Sequence, residues 1–356
     1  MLTSVRLENW RGHVDTTVPL APFTVLVGAN AVGKTAVLEA IDAVGRAVHG
    51  ERTLRGRALD RVVREGADLA SLTMTLAHNS ESAVQLLVGR APHDNMELSL
   101  PGRPQLGRFL SAHAGHDPYG SYTRTLLRPL TCLLLEPSPR RIAMPSRIAK
   151  YPCDSDGFGT ASVLASLKLN AEDRFRAIVE RVRRVVPLVD TVQMRNSPAL
   201  ERTHHREDEE HVHDTFRTHD GFALWVKFID GATLPAEAVS EGTLLAIATL
   251  TMIENHHAGM LLIDDIDRAL HMEAQSEYVK VLRDVQRERP DLQIVATTHS
   301  PLVVQHFEDD EVVVMARRAD KTIAAKRLSQ HPDRARYASL SAAEFWVAEQ
   351  EQWVVQ

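Results

Sequence analysis

The residues with the clearest chemical content are Gly28, Ala29, Asn30, Ala31, Val32, Gly33, Lys34 and Thr35. They form a G-x-x-x-x-G-K-T run between the apolar stretch Phe23 to Val27 and a helix-like stretch from Ala36 to His49. Small residues allow successive backbone N–H groups to curl around an anion, and the helix that follows turns its positive end toward it. In that arrangement Lys34 reaches the outer phosphates of a nucleoside triphosphate, the Thr35 hydroxyl ligates Mg2+, and Ala36 belongs to the helix start that faces the anion. A glycine turn that merely precedes a helix is the alternative; the strand, loop and helix context, with the spacing, argues against it.

A phosphate cradle needs a carboxylate on an adjacent strand to hold the cation. Gly259 to Ile263 reads as a buried parallel strand ending in Asp264 and Asp265, at the carboxyl edge where open α/β sheets bind ligands. Asp264 is expected in the metal shell, and Asp265 where a base would polarise the attacking water. Leu292 to Thr297 repeats the pattern and ends in Thr298, His299, Ser300 and Pro301. A strand-terminal histidine alone reads as structural, but as the third strand end of such a sheet His299 is expected to sense a γ-phosphate. Between these runs, Ser240, Glu241, Gly242 and Thr243 precede Leu244, Ile247, Leu250 and Met252 at helical spacing. That is a weak capping pattern in isolation, and it gains meaning from its place in the order.

The elements that must carry these residues are legible from periodicity. Leu2 to Leu7 alternates as a half-buried strand does, Asn9 to Gly12 turns the chain, and Thr16 to Leu20 reads as a second strand. The helix after the loop places Val37, Ala40, Ile41 and Val44 on one face. An Arg-dense stretch at 52–64 leads to three β-like runs at 70–77, 83–88 and 96–100, whose turn residues at 78–80 and 91–95 suggest an antiparallel meander. A Pro- and Gly-rich insertion at 101–122 follows. Leu130 to Leu135 has the continuous apolar character of a strand covered on both faces, after which Pro137, Pro139 and Pro145 predict a loop.

Helices are predicted at 159–169 and 171–186; the second buries Phe175, Ile178, Val182 and Val185 and exposes Arg174, Arg176, Arg181, Arg183 and Arg184. That basic face reads as solvated surface, with a nucleic-acid or partner contact as the alternative. Thr191 to Arg195 and Gly221 to Phe228 flank a polar excursion carrying His204, His205, His211, His213 and His219 among acids. The spacing does not converge these histidines, so a mobile acidic hairpin tip is expected rather than a metal site. Strands at 311–315 and 322–328 and a helix at 342–355 close the sequence. Phe345, Trp346, Trp353 and Val354 are expected to pack on the chain's own sheet, with partner docking as the alternative.

With 44% hydrophobic and 25% charged residues the 356-residue chain has globular composition, sufficient for one large domain or two ordinary ones. A net charge of -6 carries no global nucleic-acid signature. Only seven of the 41 basic residues are lysine, which reads as genome composition. Cys132 and Cys153 lack C-x-x-C spacing and are expected to be reduced thiols. The sequence shows neither a signal-peptide core nor an apolar run of the roughly 20 residues a membrane helix needs, so a soluble, cytoplasmic protein without a membrane partner is expected.

The order of the four motifs resembles that of ABC-type AAA ATPases in the chromosome-maintenance, recombination and OLD (overcoming lysogenization defect) group, from Leu7 to about His306. Leu7-Glu-Asn-Trp-Arg-Gly looks like the group's "NFR" turn, Asp156-Gly157 like its "DG" element, and Ser240 to Thr243 like the "SDGT" form of the ABC signature. Asp264 to His271 looks like "DEIExGLH", and Thr298 to Pro301 matches "THSP". The resemblance implies ATP and Mg2+ as ligands and a homo-oligomer in which two heads sandwich two ATP molecules. Ser240 and Gly242 would then bind the γ-phosphate held by the partner's Lys34, and hydrolysis would open the interface. Three departures stand out: Ala31 replaces a frequent glycine, Asp265 stands where the group commonly has Glu, and no Q-loop glutamine follows Leu135, Glu136 being the nearest polar residue.

The Asp265 departure predicts slow turnover. The 57 residues after His299 are fewer than the about 100 an added TOPRIM nuclease domain needs. An effector such as a nuclease or toxin is therefore expected on a separate chain. The expected fold is an α/β P-loop NTPase of the ABC-ATPase head type with a mixed central sheet: a single head over 1–356, with an antiparallel β subdomain at 65–100, a helical subdomain at 137–190 and a short extension at 301–356. The expected role is a sensor or motor of an anti-phage or DNA-maintenance system; an ATP-gated scaffold with little turnover is the alternative.

Overall fold

The computed structural model describes residues 1–48, 62–77, 83–89, 96–99, 132–147, 153–206, 212–256 and 259–356, with backbone alone at 96–99, 201–206 and 212–216. The arginines at 52–61, the turns at 78–80 and 91–95, the insertion at 101–122 and the side chains of the His-rich segment up to residue 216 lie outside the described residues.

In chain order the elements are β1 (Leu2–Trp10), β2 (His13–Pro19), β3 (Phe23–Val27), α1 (Lys34–Val48), β4 (Leu69–Leu76), β5 (Ala83–Gly89), β6 (Met96–Ser99) and β7 (Cys132–Leu135). There follow α2 (Pro139–Ala143), α3 (Thr160–Asn170), α4 (Glu172–Val185), β8 (Val189–Arg206), β9 (Val212–Phe228), β10 (Thr233–Pro235) and α5 (Glu241–Asn255). The chain closes with β11 (Met260–Ile263), α6 (Met272–Glu288), β12 (Gln293–Thr297), α7 (Pro301–Val304), β13 (Val312–Arg317), β14 (Ile323–Arg327) and α8 (Ala342–Glu349). Two compact units result, one comprising Met1–Leu134, Ala258–Asp267 and Arg283–Gln356, the other Leu135–His257 and Arg268–Leu282.

In the first unit a six-stranded sheet runs in the order β14-β13-β3-β12-β11-β7. Its central strands β13, β3, β12 and β11 are parallel, and β3, β11 and β12 are buried along their whole length. This is why they read as continuous apolar runs without alternation. A five-stranded antiparallel sheet, β2-β1-β4-β5-β6, forms the second layer, and α1 packs against strands of both. The meander expected at 70–100 is present as β4 to β6, but the sheet also recruits the N-terminal hairpin. Buried Gln293 fastens that hairpin to β12: its amide accepts from Leu2 N–H at 2.8 Å and donates to the carbonyls of Leu2 and Ala21, both at 2.9 Å.

In the second unit β8 and β9 pair antiparallel from Val189↔Phe228 to Arg206↔Val212. The strands therefore continue well into the expected polar excursion. Pro139 starts the short helix α2 where a loop was expected, because the missing N–H of proline is harmless in the first helical turn. The expected α4 face is present, with Phe175, Ile178, Val182 and Val185 buried. Four of its five arginines are engaged with acids: Arg174 and Arg181 with Glu254, Arg176 with Glu172, and Arg183 with Asp190. Cys132 and Cys153 are free thiols. The helix expected at 342–355 breaks at Gln350, which adopts φ 54, and resumes as a 3-10 turn over Gln352–Val355. Phe345, Trp346, Trp353 and Val354 are buried, and that last turn packs on β13 and β14. Among the described residues no helix is long and apolar enough to cross a membrane.

Candidate nucleotide site

The loop Gly28 to Gly33 connects β3 to α1, and its shape follows from what each residue permits. Gly28 has φ 142, and a Cβ there would lie 2.3 Å from the Met315 carbonyl oxygen. Gly33 has φ 94, and a Cβ would lie 2.6 Å from His13 Nε2. Ala31 also occupies the left-handed region, at φ 59, so the departure noted in the sequence is a strained position that glycine would relax. Ala29, Asn30 and Ala31 are exposed on the loop, whereas Val32 and Ala36 are buried beneath it. Lys34 is 6% exposed, and its ammonium donates to the carbonyls of Gly28 (2.9 Å) and Ala29 (3.1 Å). Burial lowers its pKa, while Asp265, Asp264, Glu351 and Asp267 favour the proton.

The carboxylates reach this loop differently from the sequence expectation. β12 lies between β3 and β11, so Asp264 is two strands away from the loop strand rather than adjacent to it. Thr35 spans the interval: its hydroxyl lies 3.0 and 3.2 Å from the two Asp264 carboxylate oxygens. Asp265, at φ 48, has its pKa raised, first by burial and then by Asp264 and Asp267, against the opposing pull of His299 and Lys34. His299 is exposed at the end of β12. Lys34, Thr35, Asp264, Asp265 and His299 thus converge on one edge of one sheet.

Sequence reasoning passed over three contributors. Thr297 bonds to both acids, Thr298 donates to Asp267, and His13 buttresses the loop through Nε2, 3.2 Å from the Gly33 carbonyl. The threonines were findable as the residues just before His299 on the same strand end, whereas nothing near His13 in sequence marks it.

A hydroxyl beside a carboxylate is an all-oxygen donor set, the preference of Mg2+, which keeps several waters and takes one or two protein ligands alongside phosphate. The glycine-lined loop closed to any Cβ at Gly28 and Gly33 is a cradle for phosphate. Both ligands therefore fit the residues present.

The second unit carries Ser240 and Gly242. Ser240 precedes α5 and shares a 2.8 Å hydrogen bond with the Thr243 hydroxyl. Gly242 approaches so closely that a Cβ would lie 2.2 Å from the Ala269 carbonyl oxygen, and Arg268 pairs with Glu241 at 2.9 Å. A cavity of about 540 Å3 borders Ser240 and Gly242, with Leu188, Leu270 and His271 among its other walls. Asp156 takes a structural part, accepting from Arg141 at 2.7 Å and from the Phe158 N–H at 2.9 Å, and Gly157 has φ 85 with Ile142 where a Cβ would sit. Glu136 is exposed.

With this geometry in view, the comparisons are informative. Crystal structures of an SMC head bound to the C-winged helix domain of ScpA (TM-score 0.57, 16% identity, 91% of this chain and 96% of that chain) and of the Pyrococcus furiosus SMC head with an extended coiled coil bound to the C-terminal domain of ScpA (TM-score 0.59, 14% identity, 95% and 99%) are similar throughout. The fold is that of an SMC head. A model described as "AAA ATPase domain" matches residues 1–51 of this chain, and one described as "AAA domain, putative AbiEii toxin, Type IV TA system" matches residues 159–305. No curated protein matches the sequence significantly. The AAA matches, on an SMC-head fold, support an AAA-type ATPase.

Proposed function

We propose that this chain binds and hydrolyses ATP with Mg2+, and that two copies close around two ATP molecules through Ser240 and Gly242 of one and Lys34 of the other. The observation that carries the reading is the Thr35 hydroxyl 3.0 Å from the Asp264 carboxylate, at the mouth of a loop whose lysine is already held inward. On binding, Lys34 exchanges its two carbonyl partners for phosphate oxygens, and the loop N–H groups and the start of α1 take the remaining charge. Mg2+, when bound, supplies neutralisation of the phosphate charge. Thr35 and Asp264 hold it, Asp265 orients and deprotonates the attacking water, and His299 donates toward the γ-phosphate.

The role we assign is the sensor or motor of a genome-maintenance or anti-phage system with its effector, a nuclease or toxin, on a separate chain. The OLD-like motif order and the toxin–antitoxin description of the family model support it, as do SMC heads solved with bound partner proteins. Four of the five arginines of α4 are already engaged with acids, which weighs against nucleic acid on that face. A second reading, an ATP-gated scaffold with little turnover, is favoured by Asp265 in place of Glu.

Light scattering with and without MgATP, alongside phosphate release, tests both readings. Wild-type chain is expected to form ATP-dependent dimers that Lys34→Ala abolishes; dimers unaffected by Lys34→Ala would refute the nucleotide-gated interface. Assembly without phosphate release selects the scaffold.

A further inference from the structure

We propose that Thr297 is a positioning residue that fixes Asp264 and Asp265 in the geometry hydrolysis needs; this rests on the ATPase reading above. β12 lies between the strand that leads into the phosphate loop and the strand that leads into the acids. Its tip is therefore the piece of backbone best placed to set the distance between them. Thr297 and Thr298 at that tip are both fully buried, although no apolar requirement calls for two threonines there.

The hydroxyl of Thr297 is committed in both directions. It donates its proton to Asp264 Oδ1 at 2.7 Å and accepts the Asp265 N–H at 2.8 Å. Asp264 then faces the Thr35 hydroxyl with a defined rotamer, because Oδ1 is pinned by Thr297 while Oδ2 lies 3.0 Å from Thr35. Asp265 needs the second bond for another reason. Its φ of 48 lies in a region an aspartate visits rarely, and a strained backbone persists only where its surroundings over-determine it. The Ile266 N–H to the Thr297 carbonyl, at 3.0 Å, ties the same loop through backbone alone. Loss of the hydroxyl therefore leaves the loop docked and frees only the Asp264 carboxylate and the Asp265 N–H that sets the Asp265 backbone.

Thr298 repeats the device one residue on, donating to Asp267 and accepting the Ser300 N–H at 3.0 Å. His299 thus follows directly after two threonine clamps. Groups that hold metal-ligating carboxylates from outside typically change metal affinity or activity by about 10- to 100-fold when removed.

The test compares full-length wild-type chain with Thr297→Val, Thr297→Ala and Thr297→Ser, measuring steady-state hydrolysis against MgATP, Mg2+ titrations at saturating ATP, and Mg-free affinity for a fluorescent ATP analogue. Valine and alanine are expected to lower kcat about 10- to 100-fold and raise the Mg2+ requirement, with Mg-free nucleotide affinity unchanged because Lys34 and the loop are untouched. Serine is expected to restore both. Alanine removes the hydroxyl with less bulk, so poor folding of the valine variant does not decide the outcome. Valine and alanine variants with wild-type kcat and Mg2+ dependence overturn this proposal alone, as does serine without rescue. If wild-type chain binds ATP without turnover, the Mg2+ titration decides by itself: weakened by valine, it sustains the positioning role, and unchanged, it refutes it. Wild-type chain that binds no nucleotide overturns the ATPase reading and this proposal together.

Discussion

Asp265 illustrates how much the backbone adds to a residue's chemistry. It is one methylene short of the glutamate common in the group its motifs resemble, and the structure adds that its main chain sits at φ 48. A carboxylate about 1.5 Å out of reach of the attacking water can lower a rate on the order of 10²-fold. Asp265→Glu is accordingly expected to raise ATP turnover about tenfold or more without changing nucleotide affinity; a steady-state assay showing no increase would refute the idea that reach limits the rate. The place of Thr297 just before His299 was legible, but the left-handed backbone and the two bonds of the Thr297 hydroxyl were not, since both depend on contacts between strand ends some thirty residues apart.

The cysteines make the opposite case, because two thiols without C-x-x-C spacing were readable as reduced thiols, and both are free. Burial pushes the Cys153 thiol up to about 12, and Cys132 rises for the same reason. Only the thiolate attacks alkylating reagents. Native protein at pH 8 is expected to react slowly with iodoacetamide at both sites and rapidly after denaturation, as read by mass spectrometry.

At the scale of elements, the parallel strands were legible nearly to the residue, because burial on both faces writes a continuous apolar run. The β8–β9 ladder was legible only at its base, where strands were expected at 191–195 and 221–228; the polar stretch beyond them lacks the alternation that announces a strand, so its continuation was not. Nor was the pairing of β2 with the phosphate loop, although it places His13 against Gly33. His13 is fully buried, its Nε2 faces the Gly33 carbonyl and its Nδ1 has no partner among the described residues. Burial lowers its pKa below the ordinary 6.5, against a smaller upward pull from Gly33. The unfolded chain therefore takes up this proton first: the stability contribution is complete above pH 6.5 and is lost as the pH falls below it. Melting temperatures from pH 7.5 to 5 are expected to fall less steeply for His13→Gln than for wild type, and parallel curves would show that His13 does not titrate on unfolding.

At the scale of the molecule, residues from opposite ends of the chain meet in the first unit, and here the sequence was least informative. Gln293 closes on Leu2, and the tail turns at Gln350 to present Glu351 near the phosphate loop. The route is physical: Trp353 and Val354 are buried, the turn that holds them packs on β13 and β14, and the Met315 carbonyl of β13 walls Gly28. Glu351 is one of the acids whose field favours the proton on Lys34. In the ATPase reading the same field opposes phosphates bound at Lys34, so removing Glu351 is expected to change how tightly an anion is held. A unit charge at several ångströms in a partly solvated site is worth on the order of 1 kcal/mol. Glu351→Gln is therefore expected to tighten ATP binding roughly two- to tenfold at low salt, with less effect at 0.5 M salt, where screening is strong, and with adenosine affinity unchanged because adenosine carries no phosphate. Isothermal titration of both nucleotide and nucleoside separates the possibilities: equal changes for ATP and adenosine would mean that Glu351 shapes the site by packing, and no change for either would mean that its field is screened before it reaches the cradle.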